Sequence, residues 1–225
     1  MAYTTIDNPH KFFNTLLYTG DGNTGRGITG VGFQPDWLWI KRRDATEGHV
    51  LFDVVRSADA RLQSNNTNAE ADRPNIVFSF DSDGFSVSQS SVDNASNNNG
   101  GTYAAWNWKA GDSTSSNGDG SITSTVSANT TAGFSIVSYT GTGSAATIGH
   151  GLGVAPRLII IKNRSSTESW RIYHGSLGAT KEIYLDLTSA AGTSSSSFND
   201  TEPTSSVFSV GTGNGTNKSS DNLIA

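Results

Sequence analysis

The stretch Phe13-Asn-Thr-Leu-Leu-Tyr18-Thr-Gly20-Asp-Gly22 returns 121 residues later as Phe134-Ser-Ile-Val-Ser-Tyr139-Thr-Gly141-Thr-Gly143. Without a gap, Gly30, Gly32, Pro35, Ile40, Lys41 and Arg43 then meet Gly151, Gly153, Pro156, Ile161, Lys162 and Arg164. Positions 13 to 47 hold 13 identities in 35. Farther on, Phe85-Ser-Val87 meets Phe208-Ser-Val210 at an offset of 123, so a short insertion intervenes. Spaced glycines and a proline carry these matches, which repetitive serine would not produce. A repeat this long exceeds a solenoid unit of about 20 to 50 residues and suffices for a domain with its own core. The sequence therefore predicts two domains of like fold, with Tyr18 equivalent to Tyr139, Pro35 to Pro156 and Lys41 to Lys162. The first spans 1–110. Residues 111–120, Gly-Asp-Ser-Thr-Ser-Ser-Asn-Gly-Asp-Gly, contain no apolar side chain and read as a flexible linker. The second domain spans 121–225.

Within each copy the pattern is β. Trp37-Leu-Trp-Ile40 and Leu158-Ile-Ile-Ile161 are short continuous apolar runs, as expected of strands buried on both faces. Ile76-Val-Phe-Ser-Phe80 and Phe85-Ser-Val-Ser88 flank Asp81-Ser-Asp83-Gly84, a hairpin signal. Tyr103-Ala-Ala-Trp-Asn-Trp108 is a further strand. Val54 to Leu62 reads equally as a turn, a brief helix or a strand edge. The fold class is all-β, two tandem domains of one fold, each a sandwich or jelly roll. Copy two ends in Asn222-Leu-Ile-Ala225 where copy one has Tyr103 to Lys109, so its last strand is expected to be truncated and the chain to be a piece of a longer one.

Composition agrees. Ser, Thr, Asn and Gly fill 101 of the 225 positions, and these residues favour strands and turns over helices. Ten Phe, six Tyr and five Trp supply a core, which separates the chain from a disordered one. A net charge of -5 without a long basic run disfavours nucleic acid. No apolar run approaches the roughly 18 residues of a membrane span, and no signal peptide is visible. Cysteine is absent, so disulfides and thiolate metal sites are excluded.

Leu17-Tyr-Thr-Gly-Asp-Gly22, Gly32-Phe-Gln-Pro-Asp-Trp-Leu-Trp-Ile-Lys41, Ser79-Phe-Asp-Ser-Asp-Gly-Phe85 and Tyr103-Ala-Ala-Trp-Asn-Trp-Lys-Ala-Gly111 resemble a family of repeated β-sandwich domains in virion proteins of tailed bacteriophages, marine and cyanobacterial phages among them. The opening Tyr3-Thr-Thr-Ile-Asp-Asn-Pro9 resembles their N-termini. The resemblance implies concanavalin-type β-sandwiches and a structural protein of the phage particle, made in the host cytoplasm. A tail fibre or tail-attached adhesin segment comes first, docking to other virion proteins and touching host-surface glycans. A capsid decoration or head-fibre protein is the alternative, and a polysaccharide depolymerase a weaker one.

The residues themselves predict no enzyme. His10, His49, His150 and His174 are scattered, and none pairs at a metal-ligand spacing. The Glu-x-Asp-x-x-Glu strand of sandwich-type glucanases is missing. No cofactor is called for. Glu47 and Glu168 recur between the copies and are candidate carbohydrate contacts, the plainer reading being solvated loop carboxylates. Asp81 and Asp83 are a weak calcium pair, for which a hairpin turn is the better account. Trp37 and Trp39 align with Leu158 and Ile160, so they are expected in the core, and so are Trp106 and Trp108. Trp170 follows a polar loop and is the aromatic expected near the surface. The N-terminal segment 1–11 is expected to run extended and to dock on a neighbouring sheet edge, with Tyr3 and Ile6 filling apolar sites and Pro9 fixing the backbone. A homo-oligomer is expected, a trimer first.

Overall fold

The computed structural model describes residues 6–74, 76–89 and 94–225. The chain forms two compact units, Met1–Gln63 with Ala71–Ala110, and Ser64–Glu70 with Gly111–Ala225. Both are all-β. Residues 64–70 thus belong with the second unit although they lie inside the first copy in sequence.

The first unit holds β1 (Phe13–Thr19), β2 (Arg26–Thr29), β3 (Trp37–Arg42), β4 (Val50–Asp53), β5 (Ser57–Leu62), β6 (Ala71–Asp72), β7 (Val77–Asp81), β8 (Gly84–Val87) and β9 (Thr102–Trp108). One sheet runs β1-β9-β3-β4-β5-β6, and the facing sheet β2-β8-β7. Alternation decides what each strand buries. Leu38 and Ile40 of β3, Val50 and Phe52 of β4, and Tyr103 and Ala105 of β9 point inward. They meet Ile28, Val77, Phe85 and Val87 from the facing sheet. The Asp81–Gly84 hairpin forms as the sequence predicts, with Asp81 opposite Gly84. Gly84 is forced here: an added Cβ would fall 1.9 Å from the Ile28 carbonyl oxygen, so the hairpin packs against β2 with no room for a side chain. The ambiguous segment 54–62 resolves into a turn followed by β5.

The second unit holds β10 (Ser115–Asn117), β11 (Ser124–Asn129), β12 (Phe134–Thr140), β13 (Ala146–Gly149), β14 (Leu158–Asn163), β15 (Arg171–His174), β16 (Lys181–Tyr184), β17 (Gly192–Thr193), the one-turn helix α1 (Ser195–Phe198), β18 (Val207–Val210), the one-turn helix α2 (Asn214–Asn217) and β19 (Asn222–Ile224). Its large sheet runs β10-β11-β12-β19-β14-β15-β16-β17, with β13-β18 facing it. From β12 onward this is the strand order of the first unit's sheet. The core gathers Val126, Val137, Tyr139, Ile159, Ile161, Tyr173 and Leu223 against Ile148, Phe208 and Val210.

Hydrogen bonds match as well as strand order. The Tyr18 hydroxyl donates to the Ser96 carbonyl and the Tyr139 hydroxyl to the Thr216 carbonyl, both at 2.7 Å. The residue after each acceptor is a buried asparagine. Asn97 accepts from the Asp21 N–H at 3.2 Å and Asn217 from the Thr142 N–H at 2.8 Å.

Three expectations are corrected. Residues 111–120 are not a free linker, because Ser115–Asn117 pairs with β11 as an outer strand. Lacking apolar side chains, that stretch gives no strand signal, and its strand is held by main-chain bonds at a sheet edge. The boundary between the units is not linear in sequence, for the 64–70 loop is anchored in the second unit. Lys162 donates to the Thr67 carbonyl at 3.0 Å, and Arg164 grips Glu70 through two bonds of 2.9 and 2.7 Å. The third correction concerns the tryptophans. Trp37, Trp39, Trp106 and Trp108 lie outside the core, half-buried on the opposite face of their sheet. β19 is short, three residues against seven in β9, and pairs with both β12 and β14.

Candidate functional site

The non-core face of the first unit's large sheet is built by register. With Leu38 and Ile40 turned inward, Trp37 and Trp39 must turn outward. Pairing of β3 with β9 sets Trp37 opposite Trp108 and Trp39 opposite Trp106. Pairing of β1 with β9 adds Phe13 beside Trp108. The result is a row of aromatic rings across three strands. Phe13 and Trp108 have centroids 4.8 Å apart, Trp108 and Trp37 4.4 Å, Trp37 and Trp39 5.8 Å, and Trp39 and Trp106 6.2 Å. All four contacts are tilted or edge-on, the geometries that aromatic quadrupoles favour, each worth about 0.5–1.5 kcal/mol. Phe13 is 37% exposed and Leu17, farther along the same face, 65% exposed.

His49 closes the row. The Trp39 indole N–H donates to His49 Nδ1 at 2.8 Å, and the two rings meet edge-on. An accepting Nδ1 requires the neutral imidazole with its proton on Nε2. Burial lowers the His49 pKa below its ordinary value, and the Lys41 charge lowers it further. At neutral pH the row therefore carries no imidazolium. Lys41 itself is turned to the carbonyls of Arg42 and Ala45, the latter at 3.1 Å. The face offers broad apolar rings beside the exposed Thr15, a surface suited to stacking on flat, hydroxyl-rimmed molecules.

The structure separates the other predicted residues. Trp170 is 3% exposed, so it is no surface aromatic, and its main-chain N–H donates to the Asp186 carboxylate at 2.9 Å. By the 121-residue offset it stands at the position of His49 in the second copy. Glu47 is half-buried two residues before His49. Glu168 acts through its main chain, its carbonyl accepting from Lys162 Nζ at 2.7 Å and its N–H donating to the Thr67 carbonyl at 3.0 Å. Asp81 and Asp83 are committed to the fold. Asp81 takes the hydroxyls of Ser79 and Ser86 at 2.7 and 2.6 Å, and Asp83 takes the N–H groups of Gly30 and Gly32 at 3.0 and 2.7 Å. Carboxylates so occupied have little left for a cation. Among the described residues no three His, Asp or Glu side chains gather as a metal site. Tyr3 lies outside the described residues. Ile6 is half-exposed, and the exposed Pro9 opens a 3₁₀ turn capped by the Asn8 side chain, which accepts from the His10 N–H at 3.1 Å.

Reading from the sequence missed the tryptophan face because Leu158 and Ile160 stand at the matching positions, and apolar bulk in both copies looks like core. A signal was present. Trp37 with Trp39, and Trp106 with Trp108, are two i, i+2 pairs, and one such pair on each of two adjacent strands places four rings on one face.

A family model described as a domain of unknown function (DUF7483) matches residues 8–225, spanning both units. No curated protein and no solved structure matches the chain.

Proposed function

The chain belongs to the DUF7483 family, and from that premise we propose that it is a non-enzymatic structural and adhesive module of a tailed-bacteriophage particle, a tail-fibre or tail-attached adhesin segment. Its two units are read as tandem copies of one concanavalin-type sandwich. The first touches host-surface glycans through the row of Phe13, Trp108, Trp37, Trp39 and Trp106. The particle assignment is supported by the sequence resemblance to phage virion domains. The adhesive role is supported by one observation above all: five aromatic rings stand on the outer side of a sheet whose core is already filled from the other side. Packing alone does not call for tryptophan there, since Leu158 takes the Trp37 position in the second copy and is 54% exposed. The carboxylates near the hairpins are consumed by structural hydrogen bonds, which favours binding over catalysis. The module works as a homo-oligomer, a trimer first.

Calorimetric titration of the protein with purified capsular and lipopolysaccharide glycans of bacterial hosts tests the adhesive role. The Trp37→Ala and Trp108→Ala variants should each weaken binding about tenfold, or about 1.4 kcal/mol, with the far-UV circular dichroism unchanged. Equal affinity in wild type and both variants would overturn this assignment of the face. Antibody labelling of intact particles by electron microscopy tests the location, and absence of label from the tail would remove the tail-fibre assignment.

A further inference from the structure

Among the described residues β1 is the outermost strand of the first unit's large sheet, and it is seven residues long. Lys109 donates to the Phe12 carbonyl and Gly20 to the Gly101 carbonyl, so the even-numbered residues bond to β9. Phe13, Thr15, Leu17 and Thr19 therefore direct their main-chain groups outward, where the Asn14 side chain accepts from the Thr15 N–H at 2.9 Å and the Arg26 guanidinium donates to the Thr19 carbonyl, two side-chain bonds that an incoming strand would displace. Soluble proteins blunt such edges with lysine, proline, bulges or shortness. β1 has no Lys or Pro and pairs in unbroken register with β9. The opposite edges, β6 and β17, are two residues long, and β10 is three.

In the second unit the same edge is filled. β12 is the counterpart of β1, and Phe134, Ile136 and Ser138 pair with Asn129, Ser127 and Thr125 of β11. The 121-residue offset carries β11 onto residues 3–8 and pairs Asn8 with Phe13, Ile6 with Thr15 and Thr4 with Leu17. Thr4 and Asn8 are identical to their counterparts Thr125 and Asn129. Four residues make the connection in both cases, but in different conformations. Gly133, at φ +67, closes the β11–β12 hairpin and donates to the Asn129 carbonyl at 2.9 Å. Phe12 stands in its place at φ -128, after the 3₁₀ turn Pro9–Lys11. A phenylalanine avoids the left-handed region that glycine enters without cost. The turn that folds β11 back on β12 is thus not made before β1, and Ile6–Asn8 form no strand with it.

We propose that the outer edge of β1 is a strand-acceptor site, filled in the assembled protein by residues 3–8 of a second copy of this chain in the register that β11 takes on β12. Each copy donates to the next, closing a ring in which every acceptor edge is covered. The idea rests on the homo-oligomeric reading above. Its test follows chain association, which glycan binding does not report, so the two fail separately.

The chain has no cysteine, so the Ile6→Cys/Thr15→Cys double variant carries only the two thiols of interest. Paired strands hold Cα atoms about 5.5 Å apart at such positions, within disulfide reach. Mild oxidation at micromolar concentration should give covalent oligomers on a denaturing gel. A cross-link confined to one chain, or no cross-link, overturns the proposal. The Leu17→Pro variant removes an outward N–H and leaves the β9 ladder intact. Light scattering should show the wild type as an oligomer and this variant as a monomer with a retained melting transition. A monomeric wild type, or a variant that keeps the wild-type mass, overturns it equally.

Discussion

The Trp39 indole N–H donates to Nδ1 of His49 at 2.8 Å, which ties a ring of β3 to the residue just ahead of β4. The bond exists only while the imidazole is neutral. Burial, then Lys41, holds the His49 pKa below 6.5. A folded-state value below the unfolded one means that the unfolded chain takes up the proton first as pH falls. Stability from this pair is thus complete above about pH 6.5 and declines below it. His150 adds the same sign in the second unit, since burial lowers its pKa and its Nδ1 accepts from the Leu152 N–H at 3.2 Å. Urea midpoints should fall between pH 7.5 and pH 5, and His49→Gln should reduce the fall seen by tryptophan fluorescence. An equal fall in the variant would show that His49 does not contribute.

Asn217 is fully buried and makes three bonds. It accepts from the Thr142 N–H at 2.8 Å and donates to the carbonyls of Ser144 and Gly211 at 2.6 and 2.8 Å. Asn217→Ala leaves three main-chain groups without partners at about 1–3 kcal/mol each. A loss of at least about 3 kcal/mol in chemical denaturation is expected. Asn217→Asp keeps the acceptor but sets a carboxylate oxygen against the Ser144 and Gly211 carbonyls in a buried site, and should lose at least as much as alanine.

Lys162 is wholly buried between the Thr67 and Glu168 carbonyls, and burial pulls its pKa down to about 8. Between that value and the ordinary 10.5 the unfolded chain holds a proton that the folded chain has released. The unfolding free energy should therefore climb as pH rises from about 8 to about 9.5, before tyrosine ionisation intervenes. Lys162→Met should abolish that climb. It should also expose the 64–70 loop to limited proteolysis, because the loop loses its hydrogen-bond donor.

Asp53 and Arg56 form an ion pair whose side chains are 2% and 1% exposed. The guanidinium also reaches the Ala60 carbonyl at 2.8 Å and the Leu51 carbonyl at 3.3 Å. Removing one partner strands a buried charge, so Arg56→Ala should cost about 3–5 kcal/mol. Asp53→Asn/Arg56→Met should recover part of the loss in the same melting experiment.

Next to this pair, Ser57 sits at φ +130, where a Cβ is strained. Ser57→Gly relieves that strain and should raise the melting temperature by a few degrees, the gain being about 1 kcal/mol less the entropy that glycine adds to the unfolded chain. A lower melting temperature would show that the serine side chain outweighs the strain.

Much of the architecture is written in the chain itself. The offset that aligns Tyr18 with Tyr139 and Pro35 with Pro156 marks units whose large sheets share one strand order, because spaced glycines and a proline constrain turns locally. Alternation along Trp37-Leu-Trp-Ile40 likewise puts the tryptophans and the aliphatics on opposite faces. Which face is covered is not a local property. It depends on where β2, β7 and β8 settle, and they settle on Leu38 and Ile40, leaving the tryptophans outside. Burial of Trp170, capture of residues 64–70 by Lys162 and Arg164, and the pairing of β11 on β12, which no described strand repeats on β1, are decided in the same way. Each depends on contacts between residues far apart in sequence, and such contacts take their value only when the sheets have assembled.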